Sequence, residues 1–145
     1  MERAAERPGL YAEDELIYFP EGLFGFEQYK RFAPLPVEED SDAILCLQSA
    51  EDEDLSFIIM NPFYLEDGYH PELTPKDYER LGTDDGGQIS FYVICVIGES
   101  PEKSTVNLKC PIAVNTVTRR ALQVILESEE YYMRHALSEF QKREE

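Results

Sequence analysis

ISFYVICVI, residues 89–97, is apolar at odd and even positions alike, and it is rich in β-branched and aromatic side chains. A run of that length and composition reads as a strand rather than a helix, because β-branched and aromatic residues fit a pleated surface. A strand with one wet face would alternate apolar and polar. This one does not, so it is expected to lie centrally, with apolar neighbours on both faces. Working outward, LIYF (16–19), AILCL (43–47) and LSFIIM (55–60) have the same character, as do PIAVNTV and ALQVIL, which run to residue 126. All read as further strands. In 104–109, Thr105, Asn107 and Lys109 alternate with Val106 and Leu108, the pattern of a strand with one solvated face.

Turn chemistry separates these runs. Pro34 and Pro36, EEDSD at 38–42, EDED at 51–54 and DDGG at 84–87 are read as punctuation, with Asp85-Gly86 suited to the positive φ of a tight turn. Helix is scarce. Residues 75–81 carry Thr74 as N-cap, Pro75 at the first helical position, Asp77 in the first turn and Gly82 just past the end. A second helix is expected from about Glu129, where Met133, Ala136, Leu137 and Phe140 recur at helical spacing before a charged tail, QKREE, that frays. The expected fold is mainly β: one small antiparallel barrel-like domain over 1–145, with its core in about 14–135, closed or nearly closed to dispose of its edges. One or two helices lie at its periphery.

Composition is consistent with that size. A chain of 145 residues buries roughly 70% of its unfolded surface, and 43% apolar residues supply the core without staples. No apolar run reaches 18 residues and MERAAERPGL has no apolar h-region, which excludes a membrane span or secretory leader in this sequence and points to the cytoplasm. Cys46, Cys95 and Cys110 sit inside apolar runs with no CxxC pair, so they read as small core hydrophobes, and neither a metal nor a cofactor is expected.

The formal net charge is −17, with acids clustered at 13–15, 38–40, 51–54, 84–85 and 127–130. Such a surface repels nucleic-acid phosphate and draws in basic proteins. It can equally be no more than a solvated exterior. EDED lacks the alternating ligands, central glycine and distal glutamate of a calcium loop. From Lys103 to Leu126 the sign inverts, with four bases and no acid; pairing with carboxylates on neighbouring strands and a dedicated partner site are both open readings.

Catalytic chemistry needs a nucleophile, base or metal cluster, yet His70 and His135 stand apart from any recognisable serine or cysteine motif. GxSxG, P-loop, HExxH and dinucleotide fingerprints are absent, so an enzyme is not expected. Asn107 and Asn115 lie on strand-like stretches where asparagine is disfavoured, and each is expected to hydrogen-bond a turn or a ligand backbone. In FPEGLFGFEQYKRF (19–32), Gly22 and Gly25 permit a turn that turns Leu23 and Phe26 to the core and thrusts Phe24 outward as a binding anchor.

FPEGLFGFEQYKRF, LQSAEDEDLSFIIMNPF and VNLKCPIAVNTVTRRALQVIL, in that order, resemble the FliW family of flagellar assembly factors over about Leu16 to Arg134. The family pattern has proline where this chain has Phe24 and alanine where it has Cys110. The resemblance implies a bacterial cytoplasmic protein of mainly β, barrel-like fold. It implies two partners bound in alternation, flagellin and the RNA-binding translational regulator CsrA, so that the protein antagonises CsrA repression of flagellin mRNA without itself touching nucleic acid. A flagellin-specific chaperone with no role in translation is the alternative. Expected partner-binding residues are Phe24 and Glu27 on the hinge, Asp52 and Asp54 on the acidic turn, Asn61 and Tyr64 after the LSFIIM strand, and Asn107 and Asn115 on the late strands.

Overall fold

Strand β5, Ile89–Val96, is the spine of the computed structural model, which describes residues 15–37, 41 and 43–141. Its two faces feed two separate cores. Tyr92 and Ile94 point into one with Ile17, Phe19, Phe32, Leu47, Ile59 and Val114; Val93 and Cys95 point into the other with Leu81, Leu108, Leu122, Tyr131 and Phe140. The apolar character of 89–96 at both parities therefore has the cause the sequence suggested. A strand between two cores has no wet face.

The sheet is antiparallel throughout, in the order β1 (Ile17–Tyr18), β2 (Arg31–Pro36), β3 (Ile44–Ser49), β4 (Ser56–Met60), β5. Beyond β5 it forks. β7 (Ile112–Asn115) takes the first half of β5, from Ile89 to Tyr92, and carries β8 (Ala121–Gln123) on its other side. β6 (Thr105–Val106) takes Cys95 and Val96, and carries β9 (His135–Ala136). Between β8 and β1 the ladder shrinks to a single bridge, Tyr18 to Arg120, with Tyr18 N donating to Arg119 O at 2.9 Å. The sheet thus curls into a barrel that is not fully closed. Its interior is the first core; the second lies outside, roofed by α1 (Pro75–Leu81) and the segments around Tyr69 and Tyr131.

Helix α1 forms for the reasons its sequence gives. Thr74 Oγ1 accepts from Asp77 N (3.1 Å), Asp77 Oδ2 accepts from Thr74 N (3.0 Å), and Gly82 ends the helix in the left-handed region at φ 79°. Burial keeps the second core's polar atoms protonated: the Cys95 thiol, ordinarily near 9.0, is pushed up to about 12, and the Tyr69 hydroxyl, raised well above its usual value, donates to Leu108 O at 2.8 Å. All three cysteines are free.

Four expectations need correction. β2 was read as turn because of Pro34 and Pro36, but Val37 N donates to Ile44 O and Ala50 N to Arg31 O, so odd-numbered residues face β3. The prolines point to the opposite edge, past the end of β1, where a missing N–H costs no ladder bond. The strand expected across 104–109 stops at Val106, because the Asn107 side chain turns the chain. The helix expected from Glu129 is replaced by β9 and a short α2, Ser138–Gln141, since residue 135 pairs across to Val106 instead. Asp85-Gly86 makes no positive-φ turn: Asp85 Oδ1 caps a 3-10 turn by accepting from Gly87 N (2.9 Å). The acidic groups at Glu13, Asp14 and 38–40, and the tail beyond Gln141, lie outside the described residues.

Candidate functional site

The loop after β1 is built around two glycines with positive φ, Gly22 at 72° and Gly25 at 87°. At Gly22 the need is also steric, because a Cβ there would sit 2.5 Å from Glu27 Cα. Gly22 N donates to Phe19 O (3.0 Å) and Phe26 N to Leu23 O (2.8 Å), so the loop closes on itself. Leu23 is driven inside and Phe24 outside, 48% exposed. Phe26 departs from the expectation of a core residue: it stays at the surface, with its ring edge-on to Phe57 at 5.1 Å.

Phe24 is not loose. Its backbone N donates 2.9 Å to Oε1 of Gln123, which is 99 residues away on β8, and Gln123 Nε2 donates to Cys110 O at 3.2 Å. A buried amide therefore ties the loop to the β7–β8 end of the barrel. The Glu27 carboxylate curls back to accept from Gly25 N at 3.1 Å; that bond, and one from its own N–H, hold it below the usual carboxylate range. The loop tip thus carries an aromatic ring and a fixed negative charge.

What the loop borders is the uncovered end of the barrel. The β4–β5 ladder stops at Ile58 and Cys95, leaving Phe57 and Val96 beyond it. The inward-facing series Tyr92, Ile94 continues to Val96; that residue, with nothing over it, is 65% exposed. The result is a hollow of about 350 Å³ lined by Phe24, Phe26, Phe57, Val96, Met133 and Asn107, among others. Met133 is 56% exposed. Its lip is held by His135: Nε2 accepts from Tyr132 N (2.9 Å) and Nδ1 lies 3.1 Å from Glu139 Oε2, so Nδ1 carries the proton.

The expected site residues fall into three groups. Phe24 and Asn107 line this mouth and Glu27 stands at its rim. Asn107 Oδ1 accepts from Lys109 N (3.1 Å) and Cys110 N (2.9 Å), which fixes the turn. Asp52 and Asp54 sit in the β3–β4 hairpin, at the same end as Phe57; Asp52 Oδ1 accepts from Asp54 N (3.0 Å), while Gln48 Nε2 donates to Asp52 O (3.3 Å) and Leu55 O (3.1 Å). Asn61 and Tyr64 lie past the other end of β4, roughly 17 Å along the strand; Asn61 Oδ1 caps a 3-10 turn by accepting from Phe63 N (3.0 Å). Asn115 is 1% exposed at the end of β7 away from the mouth. It donates to Leu81 O (2.9 Å) and accepts from Val117 N and Thr118 N, tying a hairpin turn to the end of α1.

Residues that sequence reasoning missed are Phe57, Val96, Gln123 and Met133. Only Gln123 carried a signal, as a lone amide in the apolar run ALQVIL. The inverted-charge stretch pairs less with carboxylates than expected: Lys103 reaches Glu99 (3.7 Å), but Lys109 Nζ donates to Ser128 O (2.7 Å) and Arg119 to Glu15 O (2.8 Å). His70 contacts Glu130 at 2.8 Å. Among the described residues no three His, Cys, Asp or Glu side chains cluster as metal ligands, and no helix is long and apolar enough to cross a membrane.

Comparison with known proteins bears on this geometry. A family model described as FliW protein matches residues 6–137. Flagellar assembly factor FliW of Caldicellulosiruptor bescii is 35% identical, covering 88% of this chain and 83% of its own. The same factor of Thermosipho africanus is 36% identical, covering 88% of each. A crystal structure of the flagellar assembly factor FliW superposes with a TM-score of 0.80 at 29% identity, covering 88% of each chain.

Proposed function

The chain belongs to the FliW family of flagellar assembly factors, and from that premise we propose that it binds flagellin and the translational regulator CsrA in alternation, in the cytoplasm, as a binding protein rather than a catalyst. The observation that carries this reading is the open apolar mouth at one end of an acidic barrel. Contiguous exposed apolar surface rimmed by charge is the mark of an interaction site, and a single mouth admits one large partner at a time. Flagellin in excess occupies the protein and leaves CsrA on its mRNA. Export of flagellin frees the protein to capture CsrA and lift the repression.

Charge supports the second half of the cycle. CsrA holds RNA through basic side chains, and a partner of formal charge −17 docked beside them lowers the local affinity for phosphate. Reciprocity then requires RNA to weaken the protein's hold on CsrA by the same factor. Titrating the purified protein into a complex of CsrA with flagellin-leader RNA is expected to release the RNA, less effectively as salt rises. Full RNA occupancy at saturating protein rules the antagonism out. The mouth alone also favours a second reading, a flagellin chaperone with no part in translation; tight flagellin binding with no measurable CsrA affinity would select it.

A further inference from the structure

The mouth has a polarity that its volume alone does not reveal. At one lip is the loop tip, where Glu27 is held charged by the backbone N–H groups of Gly25 and of Glu27 itself beside the Phe24 ring. At the other is the 133–134 segment, where Arg134 stands next to exposed Met133. Between them the floor is apolar, contributed by Phe57, Ile94 and Val96. An apolar channel with a fixed negative charge at one end and a positive one at the other complements one object of common occurrence, a helix with an apolar stripe. The helix N-terminus carries about half a positive charge and its C-terminus about half a negative one.

We propose that the mouth docks a single amphipathic helix of the partner in one direction only, its N-terminal end at Glu27, its C-terminal end at Arg134 and its apolar face between Phe24 and Met133, with Gln123 as the positioning residue that keeps Phe24 ready. The proposal rests on the binding reading above and adds the class of ligand, its direction and the residue that prepares the site. Gln123 matters because its two hydrogen bonds, to Phe24 N and Cys110 O, fix the loop before any partner arrives. A ring already held in its bound position loses little entropy on docking.

The test uses the full chain and flagellin. A photo-reactive benzoyl-phenylalanine is placed at position 27 in one protein and at position 134 in another, each is cross-linked to full-length flagellin, and the attachment sites are mapped by mass spectrometry. The expected result is that position 27 marks a point N-terminal to that marked by position 134, both within one flagellin helix. The reverse order, or attachment sites in separate segments, overturns it. Phe24→Ala is expected to weaken binding about tenfold, Glu27→Lys and Arg134→Glu about two- to fivefold each, and Val117→Ala, at the opposite end of β7 and β8, not at all. Gln123→Met is expected to slow association while leaving thermal unfolding of Phe24→Ala and wild type alike as references for the fold; equal rates for Gln123→Met and wild type deny Gln123 its role. Failure of the unmodified protein to bind flagellin at all sinks the functional reading itself, whereas intact binding with the wrong cross-link order sinks only the directional dock.

Discussion

Phe32→Ala is expected to lower stability by about 4 kcal/mol, the cost of emptying an aromatic site in a packed interior. Phe32 has no exposed surface; its ring meets Phe19 edge-on at 5.4 Å and Phe57 tilted at 6.1 Å. It sits on β2 with Ile17 paired on one side and Ser49 on the other, so the void would open at the centre of the barrel, where strands pinned on both sides cannot collapse inward. Since domains of this size are stable by only about 5–15 kcal/mol, the variant is expected to be partly unfolded at physiological temperature. Urea denaturation checks it. A midpoint shift equivalent to less than about 1 kcal/mol would mean that the inward-facing residues of β1–β4 are not the principal core.

Gly22→Ala is expected to cost about 3 kcal/mol, and for a different reason. Part is the positive φ of 72°, which disfavours any Cβ. The larger part is contact: the new methyl would meet Glu27 Cα at 2.5 Å and Glu27 O at 2.7 Å, both backbone atoms that cannot rotate away. The loop must open, and with it goes the hydrogen bond from Phe24 N to Gln123. Stability and flagellin binding are therefore expected to fall together, whereas Gly25→Ala, with open space around its Cβ and only the positive φ against it, costs less. Equal losses at the two glycines would show that the close approach of Gly22 to Glu27 does not govern the loop.

How far the sequence discloses this molecule depends on whether the relevant forces are local. Helix α1 is legible almost residue by residue because capping, proline placement and the terminal glycine act within ten positions. The two-faced run 89–96 is legible because burial on both sides leaves no polar position to hide it. β2 is not legible, since Pro34 and Pro36 are harmless only when they face an open edge, and which edge is open is a property of the assembled sheet. The stretch after Glu129 has helical spacing, yet pairing of His135 with Val106 overrides it.

The site divides the same way. Phe24 could be picked out because its flanking glycines announce a turn, and Glu27 because it follows on the same loop. Val96, Phe57 and Met133 could not, because each belongs to an otherwise ordinary apolar run and becomes a lip only where β4 and β5 cease to pair. Asn115 shows the reverse case. Its placement on a strand suggested a special hydrogen bond, and it makes three, all to its own chain at the far end of the barrel.

A hinge, a ring and a charged tip thus belong to one mouth, and alternation follows from there being one place for two large partners. The most direct test is to titrate CsrA into the protein by calorimetry, first alone and then at increasing fixed concentrations of flagellin. The account predicts that the apparent dissociation constant for CsrA rises with flagellin in proportion to its occupancy, with no complex of all three on gel filtration. A stable ternary complex in which CsrA binds with unchanged affinity would contradict it.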